Sequence, residues 1–180
     1  MRLITDSSRI FELVARVKTV ATSPVGINSD WLNSSGNLAL VETSVGRFDL
    51  PQMPRLARAL ATLNVSRIVG IVNDDIEAVP GGLVYEFDAT PEGIDEFDLE
   101  FTGLNAVLLP DVGLAFSAIC TVEDFHIIAG PEGFLREYAW DPESDTSLQT
   151  IRSDFDEQFS REAFHSTAAL QARKLMAWID

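Results

Sequence analysis

Cysteine occurs once in the 180 residues, at Cys120, so no disulfide can form within the chain. Histidine occurs twice, at His126 and His165, and neither lies in a cluster with cysteine. That excludes the usual structural zinc ligand sets. There is no Gly-x-Gly-x-x-Gly, no phosphate-loop pattern and no Gly-x-Ser-x-Gly elbow. No cofactor and no metal are therefore expected. No apolar run approaches the roughly 18 residues of a membrane span. The opening MRLITDSSRI lacks the continuous apolar stretch of an export signal. With the lone cysteine, these absences lead to an expectation of a cytoplasmic protein with no membrane partner.

Positive charge is the scarcest commodity. The chain has 13 Lys and Arg against 28 Asp and Glu, a formal charge of −15. The imbalance is uneven. Residues 1–72 hold 5 acids and 8 bases, whereas residues 73–151 hold 18 acids and one base, Arg136. Residues 152–180 are close to balance, with 5 acids and 4 bases. Phosphate affinity comes from clustered Lys and Arg, so nucleic acid is not expected as a partner. A basic protein partner suits such a field.

Apolar residues make up 46% of the chain. At this length about 70% of the unfolded surface can be buried, enough for a core without crosslinks. The expectation is one α+β domain over residues 1–180. Its antiparallel or mixed sheet has about five to seven strands, with helices on one face and a long C-terminal helix. Helices are predicted from Arg9 to Ala21 behind Ser8, from Pro54 to Leu63 with proline first, and from Pro91 to Glu100 behind Thr90. A further helix follows Gly130-Pro131, and the last spans Ser153 to Ile179. In the second of these, Leu56, Leu60 and Leu63 form the inner face, with Arg55 and Arg58 elsewhere on its circumference.

Strands are predicted at Arg67–Val72 and Leu83–Phe87, with a hairpin of Leu38–Thr43 and Arg47–Leu50. A meander of three strands covers residues 105–129. Gly26 to Asn37 reads as a loop. The expected core includes Val69, Ile71, Phe87, Leu108, Phe116, Cys120 and Ile127. An even-length turn at Glu123-Asp124 pairs Cys120 with Ile127 and sends His126 to the opposite face. Residues 85–94 echo residues 125–134, but four identities are too few for a repeat.

Candidate chemistry is sparse. Asn73-Asp74-Asp75 follows a predicted buried strand and Asp88 ends the next one. Asp74, Asp75 and Asp88 are thus the alternative carboxylate site for an enzyme, although they lack calcium-loop spacing. The acidic helix carries Glu92, Asp95, Glu96, Asp98 and Glu100, interleaved with Phe97. Carboxylates beside aromatic rings suit a protein interface, where rings supply buried area and charge sets approach. The leading expectation is a non-enzymatic binding protein of the inhibitor, immunity or regulatory type. It would present Glu92, Asp95, Glu96, Phe97, Asp98 and Glu100 to a basic partner. A third reading is a subunit of a homo-oligomer that assembles through its aromatic C-terminal helix.

Overall fold

The computed structural model describes residues 1–44, 48–73, 83–122, 125–141, 146–160 and 167–179. Seven strands form one antiparallel sheet, with β1 (Arg2–Leu3), β6 (Val84–Asp88), β5 (Arg67–Val72), β7 (Ala106–Pro110), β8 (Ser117–Cys120), β9 (Phe125–Gly130) and β4 (Leu38–Thr43) in that spatial order. A two-stranded ribbon of β2 (Ala21–Ser23) and β3 (Gly26–Ile27) stands apart from it. The α+β class and the seven-stranded count agree with the expectation.

The sheet is covered on both faces, not on one. All five residues of β7 and all six of β9 are buried, so both side-chain parities face apolar neighbours. One face carries Leu40, His126, Ile128, Cys120, Leu108, Gly70 and Phe87, which the strand registers align. It packs under α3 (Gln52–Thr62), α4 (Pro91–Glu100) and α5 (Glu132–Ala139). The other face carries Val41, Phe125, Ile127, Ile119, Val107 and Val69. Here Phe155 of α6 (Leu148–Phe159) meets Phe125 edge-on, with ring centroids 6.3 Å apart. Helix α1 (Ser7–Val20) is tied to the β7–β8 loop by Arg9 and Arg16, which donate to the carbonyl of Asp111.

Several elements form as their residues dictate. Pro91 occupies the first turn of α4, and the Thr90 hydroxyl caps it by accepting from the Gly93 N–H at 3.2 Å. Gly93 is required there for a second reason. A Cβ at that position would strike the Asp88 carbonyl, so only glycine lets α4 turn back tightly from β6. Gly133, its counterpart in the sequence echo, has open space instead, so the two glycines do different jobs.

Other expectations are corrected. Helix α1 is capped by Asp6, whose carboxylate accepts from Ser8 and Arg9, so the helix begins at Ser7. Residues 26–37 are no simple loop. Asn28 caps a short helix, α2 (Ser29–Ser35), which Gly36 ends at φ 65°. Strand β4 finds its partner in β9, far along the chain, and residues 48–50 are not a strand. Helix α3 starts at Gln52, so Pro54 is its third residue, where its missing N–H still falls among the unpaired donors of the first turn. The long C-terminal helix resolves into α6 and α7 (Thr167–Leu175), with residues 161–166 outside the described residues. Their apolar stripe faces inward: Phe155, Phe159, Ala169, Ala172 and Met176 are buried. The Trp178 indole N–H donates to the Ala39 carbonyl at 2.7 Å. Most of the stripe thus covers the chain's own sheet, while Leu170 is 46% exposed and Leu175 and Trp178 are half-buried.

The register of β8 and β9 is also corrected. Cys120 pairs with His126, and Ile119 with Ile127. The connecting loop is odd in length, and the Thr121 hydroxyl closes it by donating to the Phe125 carbonyl at 2.6 Å. Because both faces are buried, this register exposes no apolar set to water.

Candidate functional site

A concavity of about 920 Å3 lies between α3 and α6 at the end of β4. Asp49 starts its α3 wall. Its carbonyl accepts from the Gln52 and Met53 N–H groups, and the Gln52 side chain reaches back to the Asp49 N–H at 2.8 Å. The Gln52 half of this pattern is that of a capping box, with the Asp49 carbonyl standing where a capping side chain would be. It also aims successive turns of α3 at the cleft, so Gln52, Arg55 and Arg58 line it. Glu42 and Thr43 at the end of β4, Asp141, and Ile151 and Asp154 of α6 complete the lining.

Beneath this cleft lies a buried polar cluster. Arg55 has a side chain only 5% exposed and pairs with Glu42 through Nη2. The second oxygen of Glu42 accepts from the Tyr138 hydroxyl, and the Arg55 guanidinium lies 4.9 Å from the centre of the Tyr138 ring. Burial disfavours the charge on Arg55, but Tyr138, Glu42 and Asp141 more than offset it, so its pKa is raised. Burial, followed by the charge of Glu42, pushes Tyr138 well above the usual phenol range and keeps it a donor. Arg55 Nε and Nη1 have no hydrogen-bond partner.

His126 adjoins the cluster, 2% exposed. Its Nε2 lies 3.1 Å from the Gln52 oxygen and its Nδ1 lies 3.2 Å from Ser44 Oγ. With the Gln52 oxygen as acceptor, Nε2 carries the proton and Nδ1 accepts from the Ser44 hydroxyl. The Phe48 ring covers the imidazole at 4.4 Å. Burial, with Arg55 adding to it, lowers the His126 pKa to about 3. The Ser44–His126 contact therefore lacks two things a hydroxyl nucleophile needs, access and a base poised near neutral pH. Cys120 sits opposite His126 in the register, and burial, then Asp98, pushes its thiol up, away from the reactive thiolate.

The depressed His126 pKa fixes a pH dependence. Between the ordinary value of 6.5 and about 3, the unfolded chain holds the proton and the folded chain does not. The contribution is complete above pH 6.5 and is lost as pH falls through that window, by at most about 1.4 kcal/mol per pH unit. Urea unfolding between pH 6.5 and 5 should show this slope in the wild type and a reduced one in His126→Gln. Equal slopes would mean that His126 is protonated in the fold.

The sequence-derived site residues are divided by the structure. Glu92, Glu96 and Glu100 are exposed and Asp95 is half-buried on α4. Glu96 pairs with the N-terminal amine at 2.5 Å. Phe97 and Asp98 turn inward. Phe97 stacks on Phe87 at 4.9 Å, and Asp98 accepts from the Phe48 N–H at 3.2 Å. The fold uses both, because α4 needs an inner face as well as an acidic outer one.

Asp88 is exposed and 3.5 Å from Arg67, whereas Asp74 and Asp75 lie outside the described residues. Among the described residues, no group of three or more His, Cys, Asp or Glu could hold a metal ion. No helix among them is long and apolar enough to cross a membrane. Glu42 and Gln52 of the cleft and Tyr138 beneath it carry no functional mark in the sequence, and Arg55 turns out buried rather than off the inner face of its helix. The only signal was two charged residues in otherwise apolar segments, Glu42 within LALVET and Arg55 between Met53 and Leu56. No family model, no curated protein and no solved structure matches this chain, so geometry and charge carry its functional reading.

Proposed function

We propose that the chain is a non-catalytic protein-binding domain of the inhibitor, immunity or regulatory class, and that its acidic surface engages a basic protein partner. One observation carries this reading. Every arginine among the described residues is already engaged within the fold, while several exposed carboxylates are not. Arg2 and Arg67 meet Glu86, Arg9 meets Asp111, Arg55 meets Glu42, and Arg58 meets Glu137. Arg16 binds backbone carbonyls, Arg136 meets Glu132, and Arg152 and Arg173 meet Asp156. Glu92, Asp95, Glu100, Asp49 and Asp154 have no such partner among the described residues. Among the described residues, the basic first third thus neutralises part of the acidic middle and leaves Glu92, Asp95 and Glu100 on α4, and Asp49 and Asp154, without an ion-pair partner.

A field of this kind speeds the encounter with a cationic surface, and the gain is screened over about 8 Å at physiological salt. The test is Glu92→Lys/Asp95→Lys/Glu100→Lys, which leaves the buried Asp98 untouched and so spares the α4 packing. The partner is first identified by co-purification from the source cell. The association rate is then expected to fall by about tenfold at low salt in the triple variant, with the difference vanishing at high salt. Equal rates at low salt, or a partner without a basic surface, would refute the reading.

A further inference from the structure

We propose that the edge strand β1 is exchangeable, and that an extended basic segment of the protein partner takes its place on β6. The inference rests on the protein-binding reading above and names the form in which the partner docks.

The two edges of the sheet are closed differently. At one edge, β4 packs with α6 and α7, and its Ala39 and Thr43 carbonyls accept from Trp178 at 2.7 Å and Gln52 at 3.4 Å. The other edge is closed by β1, which has two residues, both exposed. Strand β1 pairs with Tyr85 and Glu86 of the five residues of β6, and the Ile4 N–H adds a bond to the Val84 carbonyl at 2.9 Å. Beneath this thin cover Val84, Glu86 and Phe87 are buried. The ion pairs that hold it lie at the surface, with Arg2 74% exposed and Glu96, which meets the N-terminal amine, 55% exposed. Surface pairs hold weakly, and a short terminal strand opens at little cost in free energy.

The seat under β1 has a defined chemistry. Arg2 Nη2 lies 2.5 Å from Glu86 Oε2, an oxygen that Arg67 also reaches at 2.9 Å. Glu86 is 8% exposed, a buried acid on the penultimate strand that takes a cation from the strand beside it. Asp88 lies two residues on along the same face, 66% exposed and 3.5 Å from Arg67. Leu3 stands opposite Tyr85 on the face that α4 covers. Strand alternation then fixes the occupant as an antiparallel segment of the pattern basic–x–basic–apolar. Its first basic residue faces Asp88, its second faces Glu86, and the apolar residue lies beside Tyr85. Arg2 and Leu3 already supply the last two positions. A longer basic segment adds the Asp88 contact and further main-chain pairing, and so displaces β1.

Titration of the full chain with Ac-Arg-Met-Arg-Leu-Ile-NH2, followed by amide chemical shifts, tests this. Saturable shifts are expected along Val84–Asp88, with Ac-Glu-Met-Glu-Leu-Ile-NH2 binding about tenfold more weakly. Oxidised Leu3→Cys/Tyr85→Cys, which ties β1 to β6 at facing positions, should lose the binding and regain it on reduction. Arg2→Glu, an exposed change that loosens β1, should tighten binding about threefold. In the free wild-type chain the Glu86 amide, which faces β1, should exchange with solvent faster than the Leu108 amide, held between β5 and β8. That comparison depends on no variant. Absence of saturable shifts, equal binding of the acidic peptide, unchanged binding in the oxidised chain, or Glu86 exchange as slow as that of Leu108 would overturn the proposal. A concentration-dependent dimer abolished by the disulfide would make a second copy the occupant and overturn the partner segment. The peptide stands in for the partner, so failure here is read apart from the α4 charge reversal, which is measured with the native partner.

Discussion

Glu42→Ala is expected to lower the stability of the folded chain by about 3–5 kcal/mol, the usual effect of removing one partner from a buried ion pair. The Glu42 carboxylate accepts from both Arg55 and Tyr138, and its side chain is only 12% exposed. Deleting it strands the Arg55 charge in a site where Nε and Nη1 already lack acceptors. It also leaves the buried Tyr138 hydroxyl without its acceptor. The loss therefore comes mainly from the groups left behind. Replacing both members, as in Glu42→Leu/Arg55→Met, removes the stranded charge as well and should recover most of the stability. Tyr138→Phe should cost about 1 kcal/mol, since it removes one hydrogen bond and no charge. Chemical denaturation of the variants decides the matter. A loss below 1 kcal/mol in Glu42→Ala would mean that water reaches the pair and that the cleft floor is open.

The same cluster shows where sequence reading stops. Local signals carried the elements well. The β-branched run at 67–72 is β5, and Thr90-Pro91 opens α4 where cap and proline chemistry place it. The turn at Pro110–Gly113 separates the first two of three strands that do form a meander, and residues 123–124 before the third lie outside the described residues. What was missed depends on distant partners. Strand β4 pairs with β9 some 80 residues away, and nothing within Leu38–Thr43 names that partner. Arg55 looks like a surface residue until Glu42 and Tyr138 are brought beside it. The Cys120–His126 register comes with a bond from the Thr121 hydroxyl to the Phe125 carbonyl, which no hydrophobic period reports. The two-sided sheet was legible in principle. Ala106–Pro110 and Phe125–Gly130 are apolar at nearly every position, which a sheet with one wet face does not need. The acidic helix is legible in the sequence, but its division is not: Phe97 and Asp98 turn inward, and Glu96 on the outer face pairs with the N-terminal amine.

That division of α4 supports the second large effect. Phe97→Ala should cost about 3–5 kcal/mol, as for other fully packed aromatic residues. Phe97 is 3% exposed, stacks on Phe87 at 4.9 Å and meets Phe101 at 4.8 Å. Its ring lies directly over Gly70 in β5, where a Cβ would occupy the same space. Gly70 thus lets α4 sit close to the sheet, and the helix carrying the acidic face is held by a ring-on-glycine contact. Gly70→Ala alone should therefore destabilise by displacing the Phe97 ring. In the Phe97→Ala background the same methyl group enters the cavity and should cost little or even stabilise. The two changes share one volume, so their effects should be non-additive, with a coupling of about 1–3 kcal/mol in a double-mutant cycle. Additive losses would show that Phe97 does not pack on Gly70. A Phe97→Ala loss near zero would place the ring in solvent and return it to the partner-facing surface. If the cycle couples as expected, α4 is a rigid platform, and charge reversal at Glu92, Asp95 and Glu100 changes its field without changing its position.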